Sequence, residues 1–210
     1  MIGISKSHNG AFCSFEWYIM KVSWKRLNIV EPIRSIEKIE EIKNFLMKKS
    51  WRDYVLFNLG INCGLRISDL LKLRVGDVRG QYYLKLKETK TKKMKNQKLP
   101  MQIVEMLQEF CEGRSDDEYL FQSRKGSNLP LQRQRAFCII KEATEYVGLK
   151  DCGTHTLRKT FGYHFYQRKK DIAVLQDIFN HSAPSITMRY IGINQDVLDE
   201  ALDDFYLWCI

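Results

Sequence analysis

The chain has 210 residues and a mass of 24.9 kDa, enough for one ordinary domain with a short extension. Hydrophobic residues make up 44% of the chain, which excludes global disorder. The formal net charge of +9 and the pI near 9.2 favour an anionic partner, and nucleic acid more than a membrane surface. A basic protein without such a partner is the alternative, because net charge alone is weak evidence. No apolar run approaches the roughly 20 residues that span a bilayer.

Residues 1–29 differ in composition from the rest of the chain. They mix Gly, Ser, His and Asn with scattered aromatic residues and show no clear period. We expect a short arm that packs on the domain or on DNA, followed by one domain over residues 30–210. Met20 offers an alternative translation start, in which case the preceding residues do not belong to the native protein.

Regular helix signals begin at Ser35, which can cap a helix that carries Glu37 in its first turn. A second helix is predicted from Trp51 to Asn62, and Gly64 fits its C-terminal stop. Arg66 therefore lies in a turn, and a short helix through residues 70–71 follows. The apolar face of the first helix repeats at helical spacing, with Ile36, Ile39, Ile42 and Leu46.

The middle of the chain predicts a lysine-rich β-hairpin. Residues 81–88 alternate partly and indicate a strand, residues 97–100 indicate the returning strand, and residues 92–96 form the turn between them. Residues 79–100 carry eight basic side chains and one acid, Glu88. Five of these lysines are predicted to contact DNA: Lys85, Lys87, Lys92, Lys93 and Lys95.

Helices are predicted over most of the remaining chain, at residues 101–112, 131–147, 156–168, 171–179, 184–190 and 195–208. The last of these is amphipathic and acidic, and residues 191–210 contain five acids without Lys or Arg. The predicted fold class is therefore mainly α with one small antiparallel β-sheet, an α+β domain.

The six cysteines include no Cys-x-x-Cys pair and no Cys/His spacing typical of zinc. We therefore expect no metal site and reduced thiols in a cytoplasm.

Six residues supply what metal-free cleavage of a phosphodiester requires: a nucleophile, cations on the phosphate oxygens, and groups that move protons. Individually each has a common structural explanation, and Tyr190 is one of ten tyrosines. Their order and spacing, with His155 three residues before Arg158 and Tyr190 nine after His181, are more specific. The candidate catalytic residues are Arg66, Lys90, His155, Arg158, His181 and Tyr190.

The ordered set resembles the catalytic domain of tyrosine recombinases, the phage-integrase family. Gly64-Leu65-Arg66 and His155-x-x-Arg158 match the arginine motifs of that family, and Thr89-Lys90-Thr91 resembles its hairpin lysine motif. The resemblance covers about residues 30–210.

The resemblance implies a role for each residue. Tyr190 is the nucleophile, and Arg66 and Arg158 clamp the phosphate. His155 and His181 hydrogen-bond the phosphate, and His155 helps to deprotonate the tyrosine. Lys90 is the general acid for the departing 5′ oxygen, with Lys92 and Lys93 as close competitors. Asp69 is expected to orient Arg66, or else to serve ordinary helix-end electrostatics.

The resemblance also implies a covalent 3′-phosphotyrosyl intermediate, no cofactor, and a homotetramer on double-stranded DNA in which the last helix docks on a neighbouring protomer. Most members carry an N-terminal core-binding domain, for which the residues before Ser35 are too few. We therefore expect DNA grip and site selectivity to be weak, to depend on an accessory DNA-binding protein, or to be lost. The expected location is the bacterial cytoplasm, in association with the nucleoid. The expected origin of the protein is bacterial or phage-derived.

Alternatives to a recombinase of the integrase or invertase type remain open on sequence alone. A type IB topoisomerase-like relaxase would use the same tyrosine chemistry, and a non-catalytic regulator would only occupy DNA sites. An RNA-binding protein has only the charge in its favour, since no aromatic-rich sheet motif for bases is visible.

Overall fold

A computed structural model of the chain describes residues 30–193 and residue 202. The predicted arm at residues 1–29 lies outside the described residues, as does the predicted helix at residues 195–208 apart from residue 202. The described elements are α1 (Ile36–Lys49), α2 (Trp51–Cys63), α3 (Ile67–Leu70), a 3₁₀ turn (Val75–Asp77), β1 (Tyr83–Lys87), β2 (Met94–Lys98), α4 (Met101–Phe110), α5 (Arg133–Tyr146), α6 (Thr154–Lys169), α7 (Ile172–Phe179) and α8 (Pro184–Ile191). The fold is mainly α with one small antiparallel sheet, as the sequence predicted.

Serine caps explain where the first two helices begin. The Ser35 hydroxyl accepts the Lys38 amide at 3.1 Å, and Ser50 caps α2 through the amide of Asp53. Helix α2 ends at Gly64, whose φ of +60° lies in the left-handed region that glycine adopts without strain. This sharp ending sends the chain directly into the Leu65-Arg66 turn.

The hairpin differs from the prediction in its second strand. β2 begins at Met94 rather than at residue 97, so the predicted turn at residues 92–96 is wrong. The turn instead spans residues 88–93 and closes through two backbone bonds, from Glu88 N to Lys93 O and from Lys92 N to Glu88 O, each 3.0 Å. Lys92 closes the turn with a φ of +59°. A positive φ is uncommon for a residue other than glycine, so the sequence does not predict it. As a consequence, Lys95 lies within a strand, opposite Leu86.

Two groups of buried side chains form the core of the described residues. The larger group joins α1, α2, α4, α5 and the hairpin, and includes Phe57, Leu84 and Phe121. The smaller group consists of Leu175, Phe179, Ile191 and Ile193 and belongs to α7, α8 and the residues after α8.

Helix α6 lies between the two groups. Leu157 near its N-terminus is buried in the larger group, whereas Phe161 packs against the smaller one. The helix thereby connects the part of the domain that carries Arg66 with the part that carries His181 and Tyr190. Within the described residues, no helix is long and apolar enough to cross a membrane.

Candidate active site

The candidate residues come from five separate segments. Arg66 is the N-cap of α3, and Lys90 lies in the hairpin turn. His155 and Arg158 lie in the first two turns of α6. His181 follows the end of α7, and Tyr190 lies in the last turn of α8.

Arg158 is held in a fixed position by the backbone ends of two helices. Its side chain is buried, and its two terminal nitrogens donate to Gly64 O at 2.5 Å and to Phe179 O at 2.9 Å. These carbonyls close α2 and α7, where the helix dipole favours a cation. Arg158 is therefore pre-oriented, and no loop needs to order around it when a ligand arrives.

The Phe179 ring lies at the centre of the site. The Arg158 guanidinium carbon lies 4.2 Å from its centroid, a cation–π contact. The rings of His181 and Tyr190 lie 5.3 and 5.5 Å from it, and 5.2 Å from each other. Phe179 thus fixes the spacing of a cation, an imidazole and a phenol.

Tyr190 is half-buried beside two cations. Burial raises the pKa of its phenol, and the charges of Arg158 and Arg66 and a hydrogen bond with Arg158 oppose that rise without cancelling it. Lys159 adds a third cation, 5.4 Å from the centroid of the ring. The phenol is therefore protonated at neutral pH, and its attack on phosphorus would require a base.

Both histidines of the site are neutral at pH 7. Burial, together with Arg158, Arg66 and Lys90, lowers the pKa of His181 to about 4. Partial desolvation of His155 at the surface of the site, together with Arg133 and Arg158, lowers its pKa as well. A neutral imidazole can accept a proton at one nitrogen and donate a hydrogen bond from the other.

The orientation of His181 is set by Thr187. Its Nδ1 lies 3.0 Å from the buried Thr187 hydroxyl, so Nε2 is the nitrogen left for a ligand. The amide of His181 donates to Gln176 O at 3.1 Å, which fixes the backbone at the same point.

Arg66 pairs with Glu88 and not with Asp69. Arg66 Nη1 lies 2.9 Å from Oε1 of the fully buried Glu88. Asp69 instead accepts the Thr89 amide at 2.9 Å and so supports the hairpin turn next to Lys90. The expected orienting contact from Asp69 to Arg66 is thus supplied by another carboxylate.

Lys90 is exposed in the hairpin turn, as are Lys92 and Lys93, and Lys85 and Lys87 are exposed on β1. Lys95 departs from the prediction of a DNA-contacting surface lysine. It is buried, and its ammonium donates to Ile178 O at 2.9 Å. Burial and the charge of Arg158 lower its pKa to about 8, although Cys63 and Glu88 oppose this.

Three buried polar atoms of the site have no hydrogen-bond partner among the described residues: Arg66 Nη1, Asp69 Oδ2 and Glu88 Oε1. Such atoms are rare in folded proteins because leaving them unpaired is costly. The Arg66–Glu88 contact is close enough for an ion pair, but its N–H is not aligned with the oxygen. Arg66 Nη1 and Glu88 Oε1 are thus each other's partners as an ion pair.

Comparison with known proteins identifies this arrangement. The sequence profile described as the Phage integrase family matches residues 35–196. The chain belongs to the phage integrase family. The probable integrase/recombinase YoeC of Bacillus subtilis is 50% identical over 179 residues, which cover 85% of this chain and 98% of that protein. A tyrosine recombinase of Pseudothermotoga lettingae is 33% identical over 195 residues, which cover 86% of this chain and 67% of that protein.

Solved structures of recombinases share the fold. The crystal structure of XerA recombinase matches with a TM-score of 0.66 and 19% identity, over 84% of this chain and 65% of that one. XerH recombinase bound to its difH substrate matches with a TM-score of 0.64 and 21% identity, over 84% and 54%. The chain therefore spans between about half and two thirds of these solved chains. Family membership confirms the predicted recombinase class and does not favour the relaxase or the binding-only regulator.

Sequence reasoning missed two residues of this phage integrase family site, Phe179 and Glu88. Glu88 had a signal, since it is the one acid among eight basic residues in the segment 79–100. Phe179 had none beyond its place just before Asn180-His181, because a buried aromatic residue at helical spacing is ordinary core. Within residues 30–193, no group of three His, Cys, Asp or Glu side chains is arranged to hold a metal ion.

Proposed function

We propose that this chain is a site-specific recombinase of the integrase or invertase type, which cleaves and rejoins double-stranded DNA through a covalent 3′-phosphotyrosine at Tyr190. The observation that carries the proposal is the arrangement around Phe179. It places the Tyr190 phenol next to Arg158, with its ring beside His181. Family membership over residues 35–196 supports the same chemistry.

The cations of the site would bind the scissile phosphate. Arg66 and Arg158 stay charged throughout the reaction and offer N–H groups to the non-bridging oxygens. His181 Nε2 would add a neutral donor. These contacts strengthen as charge grows on the phosphate in the transition state, which is how they would accelerate the reaction.

Each step of the proposed reaction balances its protons. The Tyr190 oxygen attacks phosphorus while its proton passes to the neutral imidazole of His155. The bond from phosphorus to the 5′ oxygen breaks, and Lys90 protonates that oxygen. In the reverse step a 5′ hydroxyl attacks the phosphotyrosine and gives its proton back to the lysine. The bond from phosphorus to Tyr190 breaks, and His155 returns its proton to the tyrosine oxygen.

Double-stranded DNA is the proposed partner. The exposed lysines of the hairpin and the net charge of +9 support it. Two similar structures are complexes of this kind: XerH recombinase bound to its difH substrate and the Tn1549 transposon integrase bound to a circular intermediate DNA. We propose a homotetramer on DNA with exchange of the C-terminal helix, and an accessory DNA-binding protein that strengthens the grip of the catalytic domain at residues 30–210.

The test is covalent trapping on nicked duplexes that tile the DNA flanking this protein's own gene. A nick beside the cleavage site lets the short leaving fragment diffuse away, so the phosphotyrosine accumulates. The wild-type protein should give a protease-sensitive shifted band on a denaturing gel, and Tyr190→Phe should give none because its ring lacks the attacking oxygen. DNA binding on a native gel should be retained in the variant.

The possible outcomes separate the alternatives. Covalent adducts in Tyr190→Phe would refute the site, and binding by the wild type without any adduct would favour a regulator. A recombinase should also join strands from two sites, whereas a relaxase would only remove supercoils from a single plasmid.

A further inference from the structure

We propose that Glu88 is a positioning residue for strand cleavage, whose buried carboxylate holds three segments of the site in the arrangement that receives the scissile phosphate. The inference rests on the proposed function and adds a residue to which neither the motifs nor the sequence pattern assigned a role.

One carboxylate touches each of three segments. Its Oε1 lies 2.9 Å from Arg66 Nη1. Its Oε2 accepts the Thr91 hydroxyl at 2.5 Å and the Asn180 side-chain amide at 3.1 Å. Thr91 follows Lys90 in the chain, and Asn180 precedes His181. Glu88 therefore contacts one candidate catalytic residue directly and the chain neighbours of two others.

The backbone of Glu88 also fixes the turn that carries Lys90. Its N–H and its carbonyl make the two 3.0 Å bonds that close residues 88–93. Asp69 holds the amide of Thr89 from the opposite side. The Lys90 side chain is exposed, but the backbone from which it extends is anchored on both sides.

A fully buried carboxylate is costly unless charge and hydrogen bonds compensate it. Burial raises the pKa of Glu88, but the Thr91 hydroxyl and the charges of Arg66 and Lys95 outweigh that effect, so its pKa lies below the ordinary value. Glu88 is therefore an anion at neutral pH and opposes the binding of phosphate. A surface that only needed to attract DNA would not bury an anion here, which favours a geometric role.

The ion pair with Arg66 supports the same role. The two charges attract across 2.9 Å between Nη1 and Oε1. Glu88 thus restrains the guanidinium through one nitrogen and leaves the other N–H groups of Arg66 for a phosphate oxygen. Removing the carboxylate would free Arg66 to move, and an error of about 1 Å in such a group costs about 10²-fold in rate.

The experiment measures single-turnover cleavage at saturating protein on the nicked duplex that traps the wild type, and DNA affinity by fluorescence anisotropy. We expect Glu88→Gln to cleave about 10²-fold more slowly while binding DNA at least as tightly, since one anion has been removed. The matched control is Glu118→Gln, a variant outside the site. It removes a carboxylate that lies 3.0 Å from Arg114 Nε, and it should cleave at the wild-type rate.

A double-mutant cycle separates positioning from general damage. If Glu88 acts through Arg66, Glu88→Gln should slow an Arg66→Lys protein far less than it slows the wild type. Thr91→Val, which removes one restraint and keeps the carboxylate, should slow cleavage about 10-fold and provides the test if Glu88→Gln fails to fold.

Wild-type rates in Glu88→Gln or, if that variant is unfolded, in Thr91→Val would overturn the inference. Equal slowing of the wild type and of Arg66→Lys would also overturn it. A wild-type protein that forms no adduct on any duplex would instead refute the proposed function, and this inference with it.

Discussion

At the scale of single residues, the site is a cluster of cations that keeps its two histidines and its tyrosine neutral. His155 and His181 have lowered pKa values, and burial near the same cations leaves Tyr190 protonated. Lys95 is also affected, with a pKa of about 8. A phosphate bound among these cations would offset their mutual repulsion, which is a physical reason for the site to favour a dianionic transition state.

The depressed pKa of His181 predicts a pH dependence of stability. The folded imidazole takes up a proton only near pH 4, whereas the unfolded one does so near 6.5. The unfolded state therefore binds more protons between these values, and the free energy of unfolding falls as the pH drops from 6.5 to 4, by at most about 1.4 kcal/mol per pH unit. Urea unfolding of wild type and His181→Asn across this range should show a shallower fall in the variant. Parallel curves would contradict the assignment.

The burial of Lys95 predicts that it does not contribute to salt-dependent DNA binding. Replacing an exposed hairpin lysine, by Lys85→Ala, should reduce the slope of log K against log salt by about 0.9, because one phosphate contact is lost. Lys95→Met should leave the slope unchanged, since its ammonium is occupied by Ile178 O. Anisotropy titrations at several salt concentrations measure both slopes. A reduced slope in Lys95→Met would show that the lysine reaches DNA.

At the scale of elements, α6 determines how close the two groups of core residues approach. A Cβ at Gly162 would come within 2.6 Å of Ile191 Cγ2 and 2.8 Å of the Phe179 ring, so glycine allows α8 to pack closely against α6. Gly60 lies in α2, which packs against α6 near Leu157, in the N-terminal part of α6. A Cβ at Gly60 would meet Leu157 Cδ1 at 2.6 Å. Helix propensity disfavours glycine at both positions, so the close packing of the helices is the reason that glycine occurs there.

This packing predicts that Gly162→Ala harms cleavage beyond its effect on stability. Overpacking costs about 1–3 kcal/mol, offset by up to about 1 kcal/mol of helix propensity. It should also displace the helix that carries Tyr190. Gly60→Ala is the comparison, since it overpacks α2 against Leu157 of α6 and not the contact between α6 and Ile191 of α8. Chemical denaturation should show similar losses of stability in Gly60→Ala and Gly162→Ala. Single-turnover cleavage should show a larger loss of rate in Gly162→Ala. Equal loss of rate in both would contradict the prediction.

At the scale of the whole molecule, local signals predicted the elements, and long-range contacts decided the site. The Ser35 cap and apolar spacing predicted α1, and the Gly64 stop predicted where α2 ends, because these signals depend on neighbouring residues. The predicted position of the hairpin turn was wrong because the turn depends on Lys92 adopting a positive φ. The pairing of Arg66 with Glu88 joins residues that are far apart in sequence, so a motif centred on Arg66 pointed to Asp69 instead.

The central claim is that Tyr190 becomes covalently attached to DNA, and peptide mapping of the trapped complex tests it most directly. The wild-type adduct would be digested with nuclease and protease, and the nucleotide-bearing peptide identified by mass spectrometry. The account predicts one modified peptide, in which a 3′-phosphate ester is attached to Tyr190. The other nine tyrosines of the chain should carry no nucleotide. Attachment to another tyrosine, to a serine, or through the 5′ phosphate would contradict it.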